Sequence, residues 1–204
     1  MESKPTVFVV DDDEAVRNAL RLPVKSAGLK VETYASAREF LDGYDPACPG
    51  CLLLDVRMPG MSGPELQEQL SARQIHIPII IITGHADVST AVRAVKGGAV
   101  DFIQKPFDDQ VLLDRIEQAI KLDGERRLDQ VERAEIAARI ARLTPRECEV
   151  MDLLVAGKGN KEIAFELGLS RKTIDIHRTH IMLKFGIDSL AELLRIGLKH
   201  EAHQ

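Results

Sequence analysis

Four short apolar runs in the first half of the chain each end on a polar signal. Val7-Phe8-Val9-Val10 runs into Asp11-Asp12-Asp13, Cys51-Leu52-Leu53-Leu54 into Asp55, Ile79-Ile80-Ile81-Ile82 into Thr83, and Val100-Asp101-Phe102-Ile103 into Gln104-Lys105-Pro106. A fifth run is Val31 to Tyr34, and helical periodicity fills Glu14 to Ala27, Gly63 to Ala72, Val88 to Lys96 and Asp108 to Leu122. Short continuous apolar runs alternating with amphipathic stretches predict an α/β domain of five βα units around a parallel, doubly wound sheet. Such sheets carry their active groups at the carboxyl ends of the strands. Three carboxylates, a hydroxyl and an ammonium therefore converge on one edge.

From Asp123 to Arg142 the pattern thins to a charged, Ala-rich stretch with Leu128, Val131 and Ile140 as sparse apolar positions. That stretch predicts a helical linker, and its thin stripe falls short of sustained heptads. No strand signal follows Leu143. Thr144-Pro145-Arg146-Glu147 supplies the N-cap, the proline at the first helical position and the glutamate at the third that make a capping box. Gly157 to Gly159 end that helix, Asn160 opens a short one (Lys161 to Leu167), and Ser170 caps a longer one reaching Phe185. Two helices joined by a tight Gly-containing turn form a helix-turn-helix within an all-α, four-helix domain. The expected division is residues 1–122, a linker 123–142, and residues 143–204.

With 204 residues the chain suits two small domains. No apolar run approaches the roughly 20 residues needed to cross a bilayer, and no basic leader precedes an apolar stretch, so a cytoplasmic protein without a membrane partner is expected. The net charge of -5 speaks against indiscriminate nucleic-acid binding by the whole molecule. Cys48-Pro49-Gly50-Cys51 spells Cys-x-x-Cys, but Cys51 begins a strand where a redox pair would open a helix, so a core thiol beside a loop thiol is expected.

Adjacent carboxylates at Asp11 and Asp12, facing Asp55 on a neighbouring strand, require a divalent cation, and oxygen-only ligation favours Mg²⁺. Beside that metal Asp55 can act as a nucleophile towards phosphorus, with Thr83 hydrogen-bonding one phosphoryl oxygen and Lys105 neutralising another.

These residues in this order resemble a two-component receiver domain over residues 5 to 121, and the whole chain is similar to FixJ-type response regulators. The matching positions are Asp11 and Asp12, Asp55 with Val56-Arg57-Met58-Pro59-Gly60-Met61-Ser62-Gly63, Thr83-Gly84-His85, and Lys105-Pro106-Phe107. The resemblance implies that Asp55 is the phosphoacceptor for a partner histidine kinase. It implies a metal shell completed by Asp12 and the backbone carbonyl of Arg57, with Asp11 reaching the metal through water, and a cis Lys105–Pro106 bond. Phe102 falls at the family's rotameric switch position, coupled to Thr83, and the face made by Val88 to Val95 and Asp101 to Ile103 becomes a dimer surface on phosphorylation. Pro23, inside the first helix, departs from the family pattern and predicts a bend or interruption near Leu22.

Between Arg171 and Lys184 four basic residues stand against Asp175 alone, with His177 and His180 alongside, whereas nine basic and nine acidic residues balance from Leu143 to the end. Positive charge is focused on one helix, which suits major-groove docking. Residues 143 to 199 resemble the LuxR-type DNA-binding domain through Thr144, Arg146, Glu147, Asn160 to Ala164, Thr173 to Arg178 and Lys184. The resemblance implies that Asp175, Ile176 and Thr179 face base edges and that Lys172, Thr173, His177, Arg178 and Lys184 approach the backbone of double-stranded promoter DNA. It makes Ile163, Ala164, Leu167, Ile174 and Ile181 core, and Leu190 to Leu198 a dimer contact. RNA polymerase is a further expected partner, and activation the expected outcome. His177 and His180 lack a third ligand for a metal site.

The chain is expected not to be an enzyme beyond Mg²⁺-dependent self-phosphorylation from phosphodonors and slow self-dephosphorylation. A haloacid-dehalogenase-type phosphatase would share the apolar run ending in Asp11 and Asp13, yet it would leave Asp55 idle. A DNA-binding regulator that never takes phosphate is the other alternative.

Overall fold

The computed structural model describes residues 4–84 and 96–201, in two compact units divided after Arg127. In the first unit, strands β1 (Thr6–Val10), β2 (Lys30–Tyr34), β3 (Gly50–Asp55), β4 (Ile79–Thr83) and β5 (Asp101–Gln104) form one sheet in the order β2-β1-β3-β4-β5. Every pairing is parallel, so the reversal of strand order lies beside β1 and β3, which carry Asp11 and Asp55 at their ends. Alternation with a period of two divides the strand residues between two cores. Phe8, Val10, Leu52, Leu54 and Ile81 meet Phe40, Leu66 and Leu70 on one face; Val7, Val9, Leu53, Ile80 and Ile82 meet Leu20, Val24, Leu112 and Ile116 on the other.

The helices covering the two faces are α1 (Glu14–Ser26), α2 (Ala37–Gly43), α3 (Gly63–Ala72) and the opening turns of α4 (Asp109–Ile140). The expected helix from Val88 lies outside the described residues apart from its end, as do His85 and the Val88 to Val95 part of the dimer face. Helical periodicity in the sequence does not reveal α2, although Ser36 and Glu39 announce it. The Ser36 hydroxyl accepts from the Glu39 N–H at 3.2 Å, and the Glu39 carboxylate accepts from the Ala35 N–H at 2.7 Å.

Pro23 does not interrupt α1, which runs unbroken to Ser26. The proline sits in the last turn, and the Ala19 carbonyl it leaves without an amide partner lies on the exposed side, where water can serve it. Gly50 is required by close approach: a Cβ there would lie 1.8 Å from the Thr6 carbonyl oxygen, at a φ of +152°.

In the second unit, Pro145–Val155 (α5), Asn160–Glu166 (α6), Arg171–Phe185 (α7) and Leu190–Glu201 (α8) enclose a core of Val150, Leu154, Ile163, Ile174, Ile181, Phe185 and Leu193. Ala164 is buried with them and Leu167 is half-buried against them, in line with the core positions expected. Ile136, near the end of α4, is buried in this same core, so that end of the helix is structural.

Candidate functional site

β1 and β3 run side by side and end at the same level, which brings Asp11 and Asp55 together at the carboxyl edge. Lys105, one residue beyond β5, reaches both. Its ammonium donates to Asp11 Oδ2 at 2.7 Å and to Asp55 Oδ1 at 2.9 Å. Its backbone N–H donates to the Thr83 carbonyl at 2.8 Å, which ties the lysine to the end of β4. The Lys105–Pro106 peptide is cis, as expected. Thr83 is buried at the edge of this cluster.

Asp11 and Asp55 are buried, with 3% and 8% of their surface exposed, and the two oxygens of each carboxylate are engaged. Besides Lys105, Asp11 Oδ1 accepts from the Asp13 N–H at 3.0 Å and Asp55 Oδ2 from the Arg57 N–H at 2.7 Å. Burial pushes the Asp11 carboxyl above its usual range even though hydrogen bonds from Lys105 and Asp13 oppose it. Burial also opposes charge on Lys105, but its two carboxylate partners prevail and hold its ammonium above the usual value.

Asp12 remains exposed next to the pair, and among the described residues no three His, Cys, Asp or Glu side chains group closely enough to hold a metal ion. The two buried carboxylates, Asp11 and Asp55, share the one ammonium of Lys105, and the Asp12 carboxylate beside them is open to solvent. Asp13 serves the helix instead, since its carboxylate accepts from the Ala15 N–H at 2.8 Å and caps α1. Two buried carboxylates and neighbouring peptide carbonyls are hard oxygen donors, a set that fits Mg²⁺, which keeps several waters and takes one or two protein carboxylates. Phe102 is half-buried against the Phe8 core, in register with Ile81.

Sequence reasoning misses Arg17, whose guanidinium donates to the Asp11 and Asp12 carbonyls at 2.7 and 2.9 Å and fixes the loop that presents both carboxylates. Its spacing of about one helical turn after the acidic run is the available signal. Gly63, which opens α3, is equally close: a Cβ would stand 2.4 Å from the Asp55 carbonyl oxygen. The cysteines are free thiols, and burial pushes Cys51 up to about 12, so that thiol is not activated.

On α7, Ile174, Ile181 and Phe185 face the core while Lys172, Asp175, Ile176 and Thr179 are exposed. Thr173 is half-buried and its hydroxyl lies 2.8 Å from that of the N-cap Ser170. His177 is half-buried, and its Nδ1 is enclosed without a protein partner. Arg178 donates to Asn160 Oδ1 at 2.7 Å.

Lys184, expected at the DNA backbone, also has partners of its own. Its ammonium is bound within the unit, donating to Glu147 Oε2 at 2.6 Å and to the Arg142 carbonyl at 3.1 Å. Glu147 is buried and also accepts from the Thr144 N–H at 2.7 Å, completing the capping box. Burial raises its carboxyl, but Lys184 and Thr144 outweigh that and hold it down to about 2. His180 Nδ1 lies 3.9 Å from the same carboxylate.

Residues 7–117 match the response regulator receiver domain family, and residues 141–196 match the luxR family of bacterial regulatory proteins. The chain is 47% identical to nodulation protein W of Bradyrhizobium diazoefficiens over 195 residues, spanning 96% of this chain and 86% of that one. It is 44% identical to the transcriptional regulatory protein FixJ of Azorhizobium caulinodans, over 97% of this chain and 93% of the relative. Among solved structures, the response regulator StyR superposes with a TM-score of 0.84 at 49% identity, over 97% of this chain and all of that one. Full-length FixJ from B. japonicum gives 0.59 at 42% identity, over 99% of this chain and all of that one.

Proposed function

The chain belongs to the two-component response regulators that join a receiver domain to a LuxR-type DNA-binding domain, and from that premise we propose that Asp55 accepts a phosphoryl group that controls promoter binding. A receiver implies a histidine kinase partner, and the LuxR-type domain implies DNA binding and transcription regulation. What supports Asp55 most directly is the single ammonium of Lys105 held within 2.9 Å of both buried carboxylates.

In the transfer, the bond between phosphorus and a kinase histidine nitrogen breaks as a bond from an Asp55 carboxylate oxygen to phosphorus forms. Lys105 lies where it can shift from a carboxylate oxygen to a phosphoryl oxygen, and the buried Thr83 hydroxyl lies at the adjoining strand end to bond another. Asp12, Asp55 and the Arg57 carbonyl, with Asp11 through water, would hold Mg²⁺, which when bound supplies charge neutralisation for the phosphoryl oxygens. The Phe102 ring, packed half in and half out, is the element that follows Thr83 inward. Phosphorylation then shifts the population towards a dimer that binds promoter DNA and activates transcription, with RNA polymerase as partner. No turnover chemistry beyond self-phosphorylation and slow self-dephosphorylation is part of this reading.

The test is light scattering on the full chain with Mg²⁺, with and without beryllofluoride, beside Asp55→Asn. A shift from monomer to dimer that needs Mg²⁺ and that the variant lacks is expected. An identical response from Asp55→Asn, or none from the native chain, overturns the proposal.

A further inference from the structure

Asn160 is the first residue of α6, yet both ends of its side-chain amide are spent on α7. Its Nδ2 donates to Asp175 Oδ1 at 2.5 Å, and its Oδ1 accepts from Arg178 Nη1 at 2.7 Å. The order is fixed chemically, because turning the amide over would set its oxygen against the carboxylate and its NH2 against the guanidinium. Asp175 and Arg178 are three residues apart and share a face of α7, so without the amide between them they are free to pair with each other. With it, the carboxylate is held at one oxygen and has the other left for an outside donor.

We infer that Asn160 is a specificity-determining positioning residue, which holds the Asp175 carboxylate outward to accept from a base amino group, cytosine N4 or adenine N6 being the donors in the major groove. The inference rests on α7 being the helix that enters that groove. A carboxylate accepts from cytosine N4, or less well from adenine N6 beside its N7 acceptor, and is repelled by the acceptor edges of guanine and thymine, so its fixed position adds discrimination at one base pair. Arg178, anchored at one nitrogen, keeps its remaining N–H groups for phosphate, which carries no sequence information. Asn160 thus divides the two neighbouring charges between reading and gripping.

The experiment is selection from a randomised double-stranded DNA library with the full beryllofluoride-treated chain, comparing native protein, Asn160→Ala, Asp175→Ala and the double variant, with thermal melting as the check on folding. Asn160→Ala is expected to lower the preference for one base at one position in each half-site by about tenfold while the other positions keep theirs. In the Asp175→Ala background the same change should add nothing at that position. Asn160→Asp, which keeps an acceptor for Arg178 and sets a like charge against Asp175, should reproduce the loss and serves if the alanine variant fails to fold. A uniform loss of affinity with unchanged base preference, or an added effect when Asp175 is already absent, overturns the inference while leaving DNA binding intact. Enrichment of no sequence by the native chain overturns the DNA-binding reading and this inference with it.

Discussion

Each unit of this protein contains a buried carboxylate paired with a lysine, and the two pairs are built to opposite ends. In the helical unit, Glu147 has one ammonium partner and a backbone N–H on the same oxygen, and burial, capping and ion pairing all serve α5 and α7. In the receiver, Lys105 is shared between Asp11 and Asp55, with the exposed Asp12 adding a third negative charge nearby. The first pair is neutral, one ammonium to one carboxylate; the second holds more carboxylate than ammonium and so has capacity for a cation and a phosphoryl group. A Lys–carboxylate contact alone does not distinguish a fastening from a site, but the local charge balance does.

The contrast breaks most visibly at Lys105. Replacing it by Met should abolish the beryllofluoride-driven change in mass entirely, whereas calorimetry should show the receiver losing less stability than the helical unit loses through Glu147→Ala. That second variant strands Lys184 and the Thr144 N–H, and with Lys184 one-third exposed the expected cost is about 3 kcal/mol. A loss below about 1 kcal/mol in denaturant titration would mean that Glu147 is not a fastening.

Acid sharpens the same difference. Because the folded Glu147 titrates at about 2, below its ordinary 4.5, its contribution is complete above pH 4.5 and is lost as pH falls towards 2. Allowing for screening at Lys184, this amounts to roughly 2 kcal/mol for the helical unit. Asp11 has the opposite sign, since its raised carboxyl takes up a proton more readily when folded, so acid relieves rather than removes its contribution. Separate melting of the two units between pH 6 and pH 3 should therefore show the helical unit moving further. The smallest effect is on salt dependence: Lys172→Ala should reduce the slope of log affinity against log salt by about 0.9, and Lys184→Met should leave it unchanged.

Strand ends, the acid pocket and the helix-turn-helix are legible in the sequence because each rests on local patterns: apolar runs, capping signals and charges within a few residues. The Lys184–Glu147 pair is not legible, because its members lie 37 residues apart and nothing near either residue marks the pairing. Asp11 and Asp12 look equivalent in the sequence, whereas the structure buries Asp11 against Lys105 and leaves Asp12 exposed. The α2 helix is readable from Ser36 and Glu39, but its seven residues are too few for periodicity to stand out.

The feature least visible in the sequence lies at the end of the receiver. Asp123, buried, accepts from the Gly50 N–H at 2.9 Å and from Arg127 Nε at 2.7 Å, while Arg127 also donates to the Pro46 and Cys48 carbonyls. The charged pattern of the sequence places both residues in the linker, yet they complete the edge of the sheet from which the Asp55 strand starts. For anyone grafting this receiver onto another output domain, the seam therefore matters. A cut after Leu122 discards the carboxylate that meets the Gly50 amide and strips the guanidinium from the loop before β3, whereas a cut after Arg127 transplants the sensor whole.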